Sequence, residues 1–345
     1  MARPWRRYLP TAMLLFLCIG CAAERHLSGP LPEGPVWPAG AEPVRIRYLG
    51  SFALPDDLGI RNGLLARIWE VVTGGVDRRL VQPTGIGVGA GGTVYVIDAA
   101  SQTVKLYDRT RQRFRIFPED DHPLQVAVRL AVDSRAGRLY VSDAAACGVR
   151  ILSLAGGGPG ELGRGALERP TGIALNRRTD ELLVVDSRKA AVFRYDRVTL
   201  AFKGRFGSRG NGEGQFNYPT DLAITSQGEI LVVDTLNFRV QLFGPDGSFL
   251  RSFGTAGDTP GSFSRPRGIA VDSDDNIYVV DALFDNVQIF DRAGRLLLAF
   301  GGHGRQAGEF WMPTGISIDA TDRIYVADTY NNRVQLFQYL KVGGR

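Results

Sequence analysis

Pro266-Arg-Gly-Ile-Ala-Val-Asp272, Ile277-Tyr-Val-Val-Asp281, Val287-Gln-Ile-Phe-Asp291 and Leu296-Leu-Leu-Ala-Phe-Gly301 follow one another with only short breaks. Each run is rich in β-branched, aromatic or leucine residues, and turn formers such as Asp, Asn and Gly divide them. That pattern reads as four antiparallel strands joined by tight turns. The same order returns from Pro313, with Gly315-Ile-Ser-Ile-Asp319, Ile324-Tyr-Val-Ala-Asp328 and Val334-Gln-Leu-Phe337.

It also occurs upstream, from Pro219, Pro170 and Pro83, and in a copy without the proline from Ala127. A four-stranded unit repeated at forty-odd residues is the mark of a propeller blade. One blade cannot bury both faces by itself, so copies must stack around an axis. Six separate small domains would need linkers between copies, and none is present. The expected fold is therefore all-β: a six-bladed β-propeller of four-stranded antiparallel blades. The last copy stops after its third strand, and Arg45-Ile-Arg-Tyr-Leu-Gly-Ser-Phe52 matches the missing fourth. An N-terminal strand completing the last blade would close the ring and cover an exposed edge.

Pro-x-Gly-Ile-Ala-Val-Asp, followed by Ile-Tyr-Val-x-Asp-x-x-Asn-x-Arg-Val-Gln-x-Phe, resembles the NHL repeat. The resemblance runs from Gln82 to Gln338 and is best in blades four and six, at Asp234-Thr-Leu-Asn-Phe-Arg-Val-Gln241 and Asp328-Thr-Tyr-Asn-Asn-Arg-Val-Gln335. Blades one to three lose the Asn and Arg. Blade two is short between Ile151 and Pro170, which leaves its fourth strand in question. The resemblance implies the propeller, with ligands and partners on its loop face, and fixes no single function.

Residues 1–21 read as an export segment. A basic start with Arg3, Arg6 and Arg7 precedes the apolar run Leu9–Ile19, too short to span a bilayer. Cys18-Ile19-Gly20-Cys21 resembles a bacterial lipobox, with Cys18 where leucine is usual. It implies lipidation of Cys21 and a place in the bacterial cell envelope, at the outer membrane or periplasmic face. A plain signal peptide and an uncleaved anchor are the alternatives. Residues 22–44, rich in Pro and Gly, read as a tether, and residues 45–340 as the propeller. Cys147 would then be the only thiol left, so no intramolecular disulfide is expected.

The formal charge is +5, but removal of the segment with its three arginines leaves 38 basic against 36 acidic residues. That near-neutral balance argues against nucleic acid as a partner.

The Asp closing each second strand (Asp98, Asp143, Asp186, Asp234, Asp281 and Asp328) recurs in every copy, so it reads as a turn device rather than a site. Function is expected where copies depart from the template. At the start of the innermost strand, Thr-Gly gives way to Arg129 in blade two, Thr220-Asp221 in blade four and Arg267 in blade five. These form either an Arg/Arg/Asp cluster for a carboxylate or polar ligand, or an ion pair that fills the channel. His303, in a Gly-rich link, joins them as a loop-face candidate. Asp120, Asp121 and His122 are weak metal candidates that a solvated acidic turn explains as well. The chain has three histidines, and His26 lies in the tether. A zinc site of three histidines within the propeller is thereby excluded. Asn62–Val72 carries apolar residues at helical spacing and would cap the ring or dock a partner.

The expected function is a non-catalytic binding or scaffold module at the cell envelope, holding a protein, peptide or glycan and needing no cofactor. The alternative is a metal-dependent hydrolase or lyase with its site at the channel mouth.

Overall fold

The computed structural model describes residues 34–40, 43–61, 77–119, 122–155 and 160–341. The export segment with Cys21, the Asn62–Val72 stretch, and Asp120 and Asp121 lie outside the described residues.

Six four-stranded antiparallel sheets form the blades. Blade one runs outward from the axis through Pro83–Val88, Val94–Asp98, Thr103–Asp108 and Arg113–Phe117. Blades two to five begin at Ala127, Pro170, Pro219 and Pro266, as the repeat spacing predicts. Blade two keeps a fourth strand, though only Gly160–Leu162, paired with Val149–Ile151 of the third.

Blade six closes the ring. Its strands Ile316–Ile318, Arg323–Asp328 and Arg333–Tyr339 are joined by Ile46–Phe52 from the other end of the propeller. Ile46 pairs with Tyr339 and Phe52 with Val334. Val36–Trp37, within the stretch read as tether, adds a short fifth strand outside Ile46–Phe52. Each innermost strand packs against its two neighbours, the last against the first.

The core is divided among the blade interfaces. Six apolar clusters of described residues each fill the space between two adjacent blades. The second and third strands are buried on both faces, which explains runs such as Ile230-Leu-Val-Val-Asp234 with no polar alternation. Between blades, the links fold back over this core. Gly207, Gly254 and Gly301 take φ of about 90°, and a Cβ there would strike the buried rings of Phe216, Phe263 and Phe310. Only glycine meets both demands.

The links between blades and the turns from second to third strand lie on one face, because strands alternate in direction. That loop face carries the candidate residues.

Candidate functional site

The six closing aspartates are fully buried, and each ties a turn to the preceding link. Asp98 accepts the N–H groups of Val81 and Gln82, Asp186 those of Glu168 and Arg169, and Asp281 those of Ser264 and Arg265. In blades four and six the template Asn and Arg join in: Asn237 and Arg239 donate to Asp234, and Asn331 and Arg333 to Asp328. Four residues beyond each Asp, the chain takes positive φ at Gln102, Cys147, Ala190, Phe238, Asp285 and Asn332. The carboxylates hold this unfavourable turn in place, and the turn reading stands.

Asp98 has a buried lysine as a further partner. Burial pushes its pKa up, but Lys105 and the amides of Gln82 and Val81 outweigh burial and hold it below the usual range. Lys105 is itself fully buried, with Nζ 2.8 Å from Asp98 Oδ2. At Asp234 and Asp328 burial dominates and the pKa is raised.

At the axis, a β-bulge opens the innermost strands of blades one to five, between Pro83 and Ile86 in the first and Pro219 and Asp221 in the fourth. Bulges re-aim side chains, and here they bring the strand starts together around the channel. Four blades place glycine at this point: Gly85, Gly172, Gly268 and Gly315. A Cβ on Gly172 would lie 2.7 Å from Asp221 Cα, and one on Gly315 would lie 2.1 Å from Thr84 O. The two remaining blades use the space the glycines leave. Arg129 Nε donates to Asp221 Oδ2 at 2.8 Å, and both residues are buried. The guanidinium also donates to the carbonyls of Val128, Thr314 and Arg267, at 3.1, 2.9 and 3.3 Å. Burial raises the Asp221 pKa against the pull of Arg129. Of the two readings open for these residues, the ion pair that fills the channel describes Arg129 and Asp221.

Arg129 separates two cavities, and Asp221 lines the one away from the loops. On the face opposite the loops, about 300 Å³ is lined by aliphatic residues of the innermost strands, including Ile86, Ile173, Ile269 and Ile316, together with Arg177 and Asp221. On the loop face, about 140 Å³ is lined by Thr84, Arg129, Arg169, Tyr218 and Arg267 among others. Arg267 thus parts from the pair and faces the mouth. His303 does not line this cavity. It bonds Asp285 through Nδ1 at 2.8 Å and stands beside Trp311, away from the other three. His122 is exposed, and its carbonyl accepts from Arg150. Glu119 is bound by Arg115. Among the described residues, no group of three or more His, Cys, Asp or Glu is placed to hold a metal ion.

One feature of this face was missed in the sequence. Two residues past the closing Asp, blades four, five and six expose Leu236, Leu283 and Tyr330, each about half accessible at 50%, 51% and 53%. Blades one to three have Ala100, Ala145 and Arg188 there. Tyr330 stacks on Trp311 at 5.7 Å, and the Arg305 guanidinium lies 4.9 Å from the Trp311 ring. Aligning the copies on their aspartates would have revealed this arc.

A closed six-bladed β-propeller with a plugged axis and an asymmetric loop face is therefore the class of protein. The NHL repeat signature matches residues 216–243, 263–290 and 310–337, so blades four to six of this six-bladed propeller carry NHL repeats. A B-box type zinc finger protein of Caenorhabditis elegans, ncl-1, is 42% identical over 53 residues, which is 15% of this chain and 6% of that one. The chain thus spans only a small part of that relative's length. Among solved structures, an auxiliary nutrient binding protein from Bacteroides thetaiotaomicron superposes with a TM-score of 0.61 at 14% identity, covering 76% of this chain and 70% of that one. Virginiamycin B lyase from Staphylococcus aureus gives 0.56 at 12% identity, covering 77% and 97%. These likenesses are of fold.

Proposed function

We propose that this protein is a non-catalytic binding module that holds a protein, peptide or glycan on its loop face, anchored to a bacterial cell envelope through a lipid on Cys21. The observation that carries the binding reading is the arc of Leu236, Leu283 and Tyr330 with Trp311. Exposed large apolar side chains gathered at equivalent turns of adjacent blades serve no packing purpose within the ring. Aromatic and arginine groups together are common anchors at interfaces. The nutrient-binding description of a structural neighbour is compatible with this role.

At the channel, where the alternative hydrolase or lyase site would lie, the Asp221 carboxylate is engaged by Arg129. The arc therefore favours binding over hydrolysis.

A photo-crosslinking residue at position 283 tests this in cells, with position 198 on the opposite face as control. A discrete adduct from 283 alone, abolished by Tyr330→Glu, is expected. Equal labelling from both positions would sink the reading. For the anchor, fatty-acid labelling that survives Cys21→Ser would overturn lipidation.

A further inference from the structure

The loop-face mouth of the axial channel contains polar groups that the fold leaves without partners. Arg267 replaces the threonine that Thr84, Thr171, Thr220 and Thr314 provide in four other blades. Its carbonyl is used, accepting from Arg129 and Thr220, but its buried Nε has no hydrogen-bond partner. The buried hydroxyl of Thr84 is likewise unpartnered. The other three threonines are occupied: Thr171 Oγ1 bonds Pro219 O, Thr220 bonds Thr235, and Thr314 bonds Thr329. The residues that carry these groups, Thr84 of blade one and Arg267 of blade five, line one cavity of about 140 Å³.

The electrostatics have one sign. Asp221 neutralises Arg129 beneath the floor. Among the described residues, no carboxylate pairs with Arg267. Burial, then the like charges of Arg265 and Arg129, pull its pKa down to about 10, and it stays charged at neutral pH. Arg169, exposed at the rim, adds another cation and lies 5.9 Å from the Tyr218 ring. A buried cation without a counter-ion is costly.

We propose that this mouth is a receptor for a single carboxylate, held by the Arg267 guanidinium and the Thr84 hydroxyl, with Arg169 and Tyr218 forming the wall. One uncompensated half-buried cation matches a monoanion. A phosphate dianion would find only one buried guanidinium left uncompensated, because Asp221 already neutralises Arg129. A guanidinium fork suits the planar carboxylate. The carboxylate belongs to a free small acid, to a peptide C-terminus or to an acidic side chain. The inference deepens the loop-face binding reading by giving the ligand an acidic group, and it rests on different residues from the arc.

Saturation-transfer NMR on the full chain tests it with N-acetyl-alanine, N-acetyl-alanine amide, N-acetyl-glutamate with its α-carboxyl amidated, and inorganic phosphate. N-acetyl-alanine should bind and its amide should not. Binding of the blocked glutamate as well would point to an acidic side chain, and its silence to a free acid or chain terminus. Arg267→Gln should weaken binding at least tenfold, and Thr84→Val several-fold. Equal signals from acid and amide would overturn the proposal, as would phosphate binding without carboxylate binding, or wild-type affinity in a folded Arg267→Gln protein. The acid–amide comparison requires no variant, so a folding defect cannot mask the answer. Crosslinking from position 283 is read separately, so either inference can fail alone.

Discussion

Arg129 of blade two and Asp221 of blade four meet across the propeller axis, Nε to Oδ2 at 2.8 Å, where four other blades carry glycine. Arg129 also reaches carbonyls of blades five and six, through Arg267 and Thr314. It also donates to Thr84 O of blade one at 3.4 Å, so one side chain links five blades where their separate sheets meet. A buried pair need not stabilise relative to an apolar filling, but breaking it leaves a charge without water or partner.

Asp221→Ala should accordingly cost about 3–5 kcal/mol. Replacing both residues, Arg129→Met with Asp221→Leu, should cost clearly less than the sum of the single changes, because no orphan charge remains. Urea unfolding of the two singles and the double measures this. Additive losses would mean that the two side chains act independently.

Glu181 gives a prediction in pH. Its buried carboxylate accepts from Arg194 Nη2 at 2.9 Å and pairs with Lys203 at 2.9 Å. Burial works to raise its pKa, but Lys203, Arg194 and Thr179 together hold it below the usual glutamate range. A depressed folded-state pKa contributes stability above the unfolded value near 4.5, which is lost as pH falls through the folded value. Glu181→Gln should therefore be less stable than wild type at pH 7, with the gap narrowing towards pH 3. A gap that stays constant with pH would remove Glu181 from the acid response.

The blades, their count and the closing strand were legible because they follow from periodicity. Repeated prolines and aspartates mark the strand ends, and the missing fourth strand of blade six left a visible vacancy for Arg45–Phe52. The positions of Arg129, Asp221 and Arg267 were legible too, as departures from Thr-Gly. Their division was not. Which arginine takes the aspartate depends on side-chain reach across the axis, and no spacing along the chain encodes that. Lys105 was missed for a similar reason: a lysine in a strand reads as exposed until its partner, Asp98, is placed beside it. His303, a loop-face candidate by its place in a link, lies against Asp285 and Trp311, apart from the mouth.

Glycines separate two kinds of constraint. Gly315 lies where a Cβ would come within 2.1 Å of Thr84 O, whereas Gly91 has φ of 70° and open space. Gly91→Ala should cost about 1–2 kcal/mol, the ordinary penalty for a left-handed residue. Gly315→Ala must move backbone at the blade-one interface and should cost more, at or beyond the top of the roughly 1–3 kcal/mol typical of overpacking. Thermal unfolding of both variants decides it. The reverse order would mean that the innermost strands yield more easily than their contacts indicate.

Ring closure rests on Phe52. Its strand pairs with Arg333–Tyr339, and its ring lies 4.9 Å from that of Tyr107 in blade one. Phe52 is therefore part of the apolar cluster that joins blade six to blade one, together with Ile60, Leu80, Tyr325 and Val334. Removing the ring should cost about 3–5 kcal/mol, as for other buried aromatics. Phe202, on the outer strand of blade three and 57% exposed, is the matched control, and its alanine variant should stay within about 0.5 kcal/mol of wild type. Because the last blade borrows its fourth strand from the other end of the ring, Phe52→Ala should lower the single unfolding transition of the whole propeller instead of creating a separate early one. Urea unfolding followed by tryptophan fluorescence and by circular dichroism reads both points. Comparable stability of Phe52→Ala and Phe202→Ala would show that the N-terminal strand decorates the ring without closing it.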